Sequence, residues 1–537
     1  MAAVSIDASL FKKMFLAGAM RIESKKEIIN ELNVFPVPDG DTGTNMTLTI
    51  QSAVSEVNAV TEDTIAVLSK AMSSGSLRGA RGNSGVILSQ IFRGFSKVVR
   101  NYDEIDVPVL KEAVAKSATT AYKAVMAPKE GTILTVIRSA SEKAAELADD
   151  ITLEDAINEI IDAMQIALDD TPNLLPVLKE AGVVDSGGSG LLEIALGMRD
   201  VYLNPDMEIN YGTVEEEVVE EAYCVNLTLE STKQILMPDQ LDIEKFIDEN
   251  GECYGWDDEG EKINIHFHSD TPGAIIDKLL EYGKIENVSI DYIPDTNKQC
   301  VKQEKGAKKE TKKVNNEPPK ENGFIAVSVG AGIEEIFKEF GVDCIISGGQ
   351  TMNPSTEDIL KAIDEVNAKN IFVLPNNGNI ILAASQARDL TKDKNIVVIP
   401  SKTIPQGISA MISFLDGNSA EENEAAMTEA LEAVKTVEVT YAVRDTSMNG
   451  KEIHVNDIMG ICGKEIVAVG EEVEETSFNT VKEIAEDAEM ISIYYGEDIN
   501  ESDAEALKAR IEAEFTDAEV AVYYGGQPVY YYIISVE

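Results

Sequence analysis

Apolar residues return every three or four positions in LFKKMFLAGAMRIESKKEIINEL (residues 10–32) and in LEDAINEIIDAMQIALDDTPNLLPVLKEA (153–181), the spacing that lines one face of an α-helix. From about residue 7 to 203 such runs follow one another, separated by short loops rich in Gly, Asp and Ser, and strand-like alternation is nearly absent. The pattern predicts an all-α domain over residues 1–205 whose loops carry the unusual residues. Beyond the acidic stretch VEEEVVEEA the period changes to two, in YCVNLTLE and KINIHFHS, which predicts a small α+β domain over 218–298. KQEKGAKKETKKVNNEPPKEN then reads as a flexible linker, placed at 299–322. The apolar runs FIAVSVGAG, CIISGGQ, NIFVLPNNGNI and NIVVIPSK alternate with helical ones such as STEDILKAIDEVNA, so residues 323–537 are expected to form an α/β domain with a parallel sheet.

A chain of 537 residues is too long for one hydrophobic core, in keeping with three domains. An apolar fraction of 44% is that of a globular protein, well above a disordered one. The formal charge of -49 repels phosphate backbones and anionic lipid, which argues against nucleic acid as a partner, and it leaves carboxylates for divalent cations. Five scattered cysteines (Cys224, Cys253, Cys300, Cys344, Cys462) do not form a secreted disulfide framework. No apolar run approaches the ~18 residues of a membrane span, and Asp7 with Lys12 and Lys13 interrupts the N-terminus, so neither a membrane segment nor a signal peptide is expected. The cytoplasm is the expected compartment.

The most informative segment runs from Asn33 to Met46, NVFPVPDGDTGTNM. Asp39 and Asp41, flanking a glycine, can turn inward together and hold a hard cation such as Mg²⁺. Thr44 or Asn45 would cap the helix that follows, whose first amides attract phosphate. Taken alone, Asp-Gly-Asp is more often a surface turn. Three further loops, Gly79–Gly85, Glu130–Thr132 and Asp185–Gly190, offer backbone amides and hydroxyls in the same domain, although each would also serve as a plain helix terminus.

Together these motifs resemble the ATP-binding L subunit of dihydroxyacetone kinase. Over the whole chain the match is closer to the A subunits of fatty acid kinases, which join that domain to two more. The resemblance implies a barrel of antiparallel helices holding ATP through two Mg²⁺ ions at one end. By motif, Asp39 and Asp41 correspond to the metal ligands, and Thr42, Thr44 and Asn45 line the nucleotide. Ser84 and Gly85 correspond to the phosphate-contacting Ser-Gly, and Thr132 and Asp185 lie in loops near the nucleotide. Asn33 stands where dihydroxyacetone kinases carry a third Asp. Arg81 is either an added catalytic cation or an ion-pairing residue. The implied reaction is phosphoryl transfer from ATP to a fatty acid carboxylate, to give an acyl phosphate for phospholipid synthesis. The carboxylate is already ionised, so the site needs no general base. The implied partner is a separate fatty acid-binding protein docked by the C-terminal domain, with the linker raising its effective concentration; that domain would otherwise be structural or dimerising. A homodimer is implied as well. Two other readings stand beside this one: a small-molecule kinase acting on dihydroxyacetone or a similar triose, and an ATP-binding regulatory or scaffold protein.

In the middle domain His266 and His268 are two apart on one strand and face one side, and Cys224 lies in the other strand-like segment; Zn²⁺ suits that set. An exposed His-x-His often binds nothing, but the resemblance to the A subunits of fatty acid kinases implies zinc here too. Asp270, water or Cys253 would complete the set. The turns Ser347–Gln350 and Asn376–Asn379 lack the Gly spacing of a dinucleotide site.

Overall fold

In the computed structural model the described residues are 4–34, 40–125, 127–209, 211, 222–231, 246, 252–258, 262–269, 272–280, 282–293, 318–349, 353–442, 446–448, 451–463, 465–486 and 488–537. The chain divides into two compact units, one comprising Met1–Thr213 with Glu317–Glu537 and the other Val214–Asn316.

The first unit begins with helices α1 (Ala8–Ser24), α2 (Lys26–Glu31), α3 (Thr42–Ala59), α4 (Ile65–Arg78) and α5 (Gly82–Val99). It continues with α6 (Val107–Ala124), α7 (Ile133–Glu146), α8 (Leu153–Leu174), α9 (Pro176–Ala181) and α10 (Ser186–Leu203). Local signals set most of their starts. Asp7, Thr64, Asp106, Thr132, Thr152 and Asp185 each accept a first-turn amide through the side chain, which satisfies a donor that the helix cannot. Both long periodic runs are broken once, at Lys25 and at Leu175, the latter because Pro176 disfavours a helical residue before it. From α3 to α8 the long helices pack on their neighbours in order, and α10 packs on both α8 and α1, so the contacts return on themselves. Their inner faces bury one cluster that includes Phe15, Ile22, Met46, Leu68, Leu88 and Val136.

The second unit holds an antiparallel sheet from β1 (Ala222–Ser231), β2 (Glu252–Asp258), β3 (Lys262–Ser269) and β4 (Gly283–Ile293), with β3 and β1 in the middle, and a helix, α11 (Pro272–Leu279). Alternate residues Val225, Leu227, Ile263, Ile265 and Phe267 are buried with Ile275 and Leu279.

The C-terminal part of the first unit starts with a parallel sheet. Strands β5 (Lys320–Ser328), β6 (Cys344–Ser347), β7 (Ala368–Leu374) and β8 (Asn395–Val398) stand in the order β6-β5-β7-β8. Between them run α12 (Ala331–Glu339), α13 (Thr356–Glu365) and α14 (Ile381–Leu390). Lys320 and Asn322 pair with Ala368 and Asn370, so the sheet begins inside the expected linker, whose residues 299–317 lie outside the described ones. After α15 (Ile404–Ile412) and α16 (Ala420–Ala433) comes a second sheet. It comprises β9 (Lys435–Tyr441), β12 (Ile458–Cys462), β13 (Glu465–Gly470), β14 (Met490–Tyr495), β15 (Glu519–Tyr524) and β16 (Tyr532–Val536), in the order β13-β12-β9-β16-β14-β15. Helices α17 (Val473–Ile484) and α18 (Glu501–Glu514) cover it. Only β14 and β15 run parallel in it; a separate hairpin pairs β10 (Thr446–Met448) with β11 (Lys451–Ile453).

The α/β region packs directly on α4 and α5. Ala80 and Val86 are buried in one cluster with Ile359, Ile363, Ala383 and Ala387. The buried Gln386 accepts from Gln90 Nε2 at 2.8 Å and donates to the Leu77 carbonyl at 2.6 Å, and the Thr356 amide donates to the Ala80 carbonyl at 3.1 Å. Paired amides inside an apolar contact mark a fitted joint, because an unpaired one there would be costly. Among the described residues no helix is long and apolar enough to cross a membrane.

Candidate nucleotide and metal site

Four helix starts, those of α3, α5, α7 and α10, come together at one end of the helical domain. Ser186 Oγ, at the start of α10, donates to Thr42 Oγ1, at the start of α3, at 3.2 Å. Asp185 accepts the amide of Ile133, the first residue of α7, as well as that of Gly188. Gly82 opens α5 at φ +58° and lies so close to Asn45 that a β-carbon there would fall 2.5 Å from Asn45 Nδ2, which leaves glycine the fitting residue on both counts. Four convergent helix N-termini present partial positive charge and amide donors, the arrangement that receives phosphate.

Of the residues expected at this site, Thr42, Thr44, Asn45, Ser84, Gly85, Thr132 and Asp185 stand at the caps or in the first turns of these helices. Thr42 and Asn45 are buried in the first turn of α3, and Thr44 is anchored by Asn30, whose amide oxygen accepts the Thr44 amide and whose nitrogen donates to its hydroxyl, both at 3.1 Å. Asn30 also receives the Asn33 amide on its carbonyl at 3.1 Å, so buried Asn33 is tied to the same turn. Gly85 sits against Thr49, whose hydroxyl donates to the Asn45 carbonyl at 2.6 Å and receives the Arg81 amide at 3.3 Å. Ser84 is half-buried in the first turn of α5. Thr132 caps α7, and its hydroxyl donates to the Lys129 carbonyl at 2.8 Å. Asp185 caps α10 from a buried position, and burial pushes its carboxyl up to about 6, against the two amides that hold it down.

Asp41 differs from the other aspartates at helix starts. Asp7, Asp106 and Asp185 cap their own helices, whereas the Asp41 side chain makes no cap to α3. Its Oδ2 instead accepts from Asn353 Nδ2 at 2.5 Å, across the joint with the α/β region. Arg81 also turns that way: Nη1 donates to the Asn353 carbonyl at 2.7 Å and Nη2 lies 3.6 Å from Asp358. Asp39, the other expected Mg²⁺ ligand, lies outside the described residues. Asn30 and Asn353 are contributors that sequence reasoning missed, and Ser186 was covered only as part of the Asp185–Gly190 loop. Asn30 had a faint signal, being a small polar residue just before the Asn33–Met46 segment; Asn353 had none.

For the expected zinc set, the backbone register pairs Cys224 directly with His268 and Asn226 with His266. Their side chains and Asp270 lie outside the described residues, and among the described residues no group of three His, Cys, Asp or Glu is placed to hold a metal ion.

A helical domain with clustered helix starts, a small antiparallel domain and an α/β region together define a three-part chain, and comparison with known families gives that architecture a place. A DAK2 domain model matches residues 36–200, the FakA-like middle domain of fatty acid kinases matches 220–300, and the FakA-like C-terminal domain matches 323–537. The chain belongs to this FakA-like family of fatty acid kinase A subunits. It is 39% identical to protein YloV of Bacillus subtilis over 561 residues and 38% identical to an uncharacterized protein of Staphylococcus aureus (strain USA300) over 554, covering 99% of both chains in each case. Among solved structures it is similar to the dihydroxyacetone kinase of C. freundii in complex with AMP-PNP and Mg²⁺, with 16% identity, 37% of this chain and 35% of that one covered, and a TM-score of 0.29. It is also similar to a fatty acid-binding DegV family protein of Thermus thermophilus, with 14% identity, 40% and 99% covered, and a TM-score of 0.29.

Proposed function

We propose that this chain is the nucleotide-binding component of a two-component fatty acid kinase. It transfers the γ-phosphoryl of ATP to the carboxylate of a fatty acid presented by a separate binding protein, and the acyl phosphate feeds phospholipid synthesis. The observation that carries the reading is the meeting of four helix starts beside Asp41, in a chain whose full length matches the FakA-like family. Thr42, Thr44, Asn45, Ser84, Gly85, Thr132 and Asp185 would line the nucleotide, with Asn33 behind the α3 turn. Asp41, with Asp39, offers the hard oxygens that suit Mg²⁺, two ions being the number carried by the resemblance. Bound Mg²⁺ would neutralise charge on the phosphates. The helix starts orient the transferring group and complement its charge, and the acceptor arrives already ionised, so positioning and electrostatics supply most of the rate. Cys224 and His268, paired across two strands with His266 two positions along, are a fitting start for Zn²⁺ in the middle domain.

The test is acyl phosphate formation by the purified full chain with Mg²⁺, ATP and fatty acid, with and without a fatty acid-binding protein. Product is expected only with the partner, and Asp41→Ala is expected to lower the rate by about 100-fold or more, as loss of a group acting on transition-state charge does. ATP binding without acyl phosphate under any pairing would overturn the reading in favour of a small-molecule kinase or an ATP sensor.

A further inference from the structure

The α/β region does more than adjoin the helical domain, because one of its residues reaches the carboxylate assigned to the metal. Building on the proposed nucleotide site, we propose that Asn353, contributed by the α/β region, is a positioning residue of that site.

Three observations carry this. First, an aspartate at a helix start ordinarily turns back onto its own first-turn amides, as Asp7, Asp106 and Asp185 do; Asp41 does not, and Asn353 Nδ2 donates to its Oδ2 at 2.5 Å. A short amide-to-carboxylate bond fixes the rotation of the carboxylate, and metal-binding carboxylates are oriented by such outer partners. Second, Asn353 is itself held. It is 3% exposed, its carbonyl receives Arg81 Nη1 at 2.7 Å, and Arg81 also approaches Asp358. The adjacent turn is pinned as Ser355 and Asp358 exchange capping bonds and the Thr356 amide reaches the Ala80 carbonyl. Third, Asn353 Oδ1 is buried and accepts no hydrogen bond among the described residues. A buried acceptor left open beside a carboxylate points to a ligand that brings a donor, and hydrated Mg²⁺ or a bound nucleotide has donors to offer. If Asn353 served only to fasten two domains, its oxygen would be expected to have a partner, as the Gln386 oxygen has in Gln90 within the same joint.

The experiment uses the full chain and AMP-PNP, with calorimetric titration at graded Mg²⁺. Asn353→Ala and the smaller polar change Asn353→Ser are compared with Gln386→Ala, which weakens the joint away from Asp41. Both Asn353 variants are expected to raise the Mg²⁺ concentration needed for half-maximal nucleotide binding by about 10-fold or more, the usual cost of losing an orienting partner, while Gln386→Ala lowers the melting temperature and leaves the Mg²⁺ requirement in place. A shift below about twofold in both Asn353 variants, or tighter Mg²⁺ binding, overturns the proposal. An equal shift in Gln386→Ala does so too, since the effect would then belong to the joint and not to Asn353. Wild-type protein that binds no AMP-PNP at any Mg²⁺ concentration overturns the nucleotide-site reading and this inference with it; normal wild-type binding with unshifted variants overturns this inference alone.

Discussion

Asp185 carries a charge where its visible structural duty needs none. It caps α10 by accepting the Gly188 amide at 2.7 Å and also accepts the Ile133 amide; an asparagine oxygen would keep the cap. Burial raises its carboxyl to about 6 from an ordinary value of 3.8. Between those values the native protein keeps a proton that the unfolded chain has released, so stability falls as pH rises through the window, and the loss is complete above about 6. Asp185→Asn removes that burden. At pH 8, without nucleotide, the variant is expected to be more stable than wild type by ~1–3 kcal/mol, and the gain should vanish near pH 4. Thermal melts at the two pH values check this; a variant less stable at pH 8, or a pH-independent difference, would show that the carboxylate is not the strained group. A charge retained at such a cost beside the α3 start is what a binding site keeps and a plain helix cap gives up.

At the scale of elements, what was legible in the chain is what is set locally. The parallel strands ending in Gly, Pro or Asn follow from residues within a few positions, and the structure has them; the cap expected at Thr44 or Asn45 is not there, because α3 starts earlier, at Thr42, with Asp41 before it. The mostly antiparallel second sheet was not legible as such, because its runs look the same whichever neighbour they pair with. Nor was the bond from Asn353 to Asp41, whose partners stand 312 residues apart with no local pattern to link them. Strand register supplies the one long-range step that period-two alternation cannot, by setting Cys224 opposite His268. If those two and His266 bind zinc, protein purified without chelator should carry about one zinc per chain by elemental analysis, and His268→Ala or Cys224→Ala should lose most of it. Zinc-free wild type, or full zinc content in both variants, would reduce the His-x-His to an ordinary strand sequence.

For the whole molecule, the consequential feature is that the helical domain and the α/β region form one compact unit although about a hundred residues of another unit intervene in the chain. A linker-tethered module would present a polar, loosely packed face. Here Val86 of α5, 3% exposed, is buried with residues of α13 and α14, and Gln90 of the next helical turn meets Gln386 inside the contact. Burying an unpaired charge in such a place costs several kcal/mol, enough to open a joint without unfolding either side. The helical and α/β parts should therefore melt in a single calorimetric transition, apart from that of the middle unit, and Val86→Asp should split it in two. Two transitions in the wild type would mean that the contact is too weak to couple them. Coupling has a functional sense: the face of α5 that seats the α/β region follows directly from the Arg81–Gly85 turn, so whatever binds the α/β region and shifts it also pulls on Arg81 and, through Asn353, on Asp41. Nucleotide bound at the helix starts should in turn raise the temperature at which the joint opens, and Asp41→Ala, lacking the carboxylate on one side of that link, should lose that increment when each protein is measured against its own ligand-free transition.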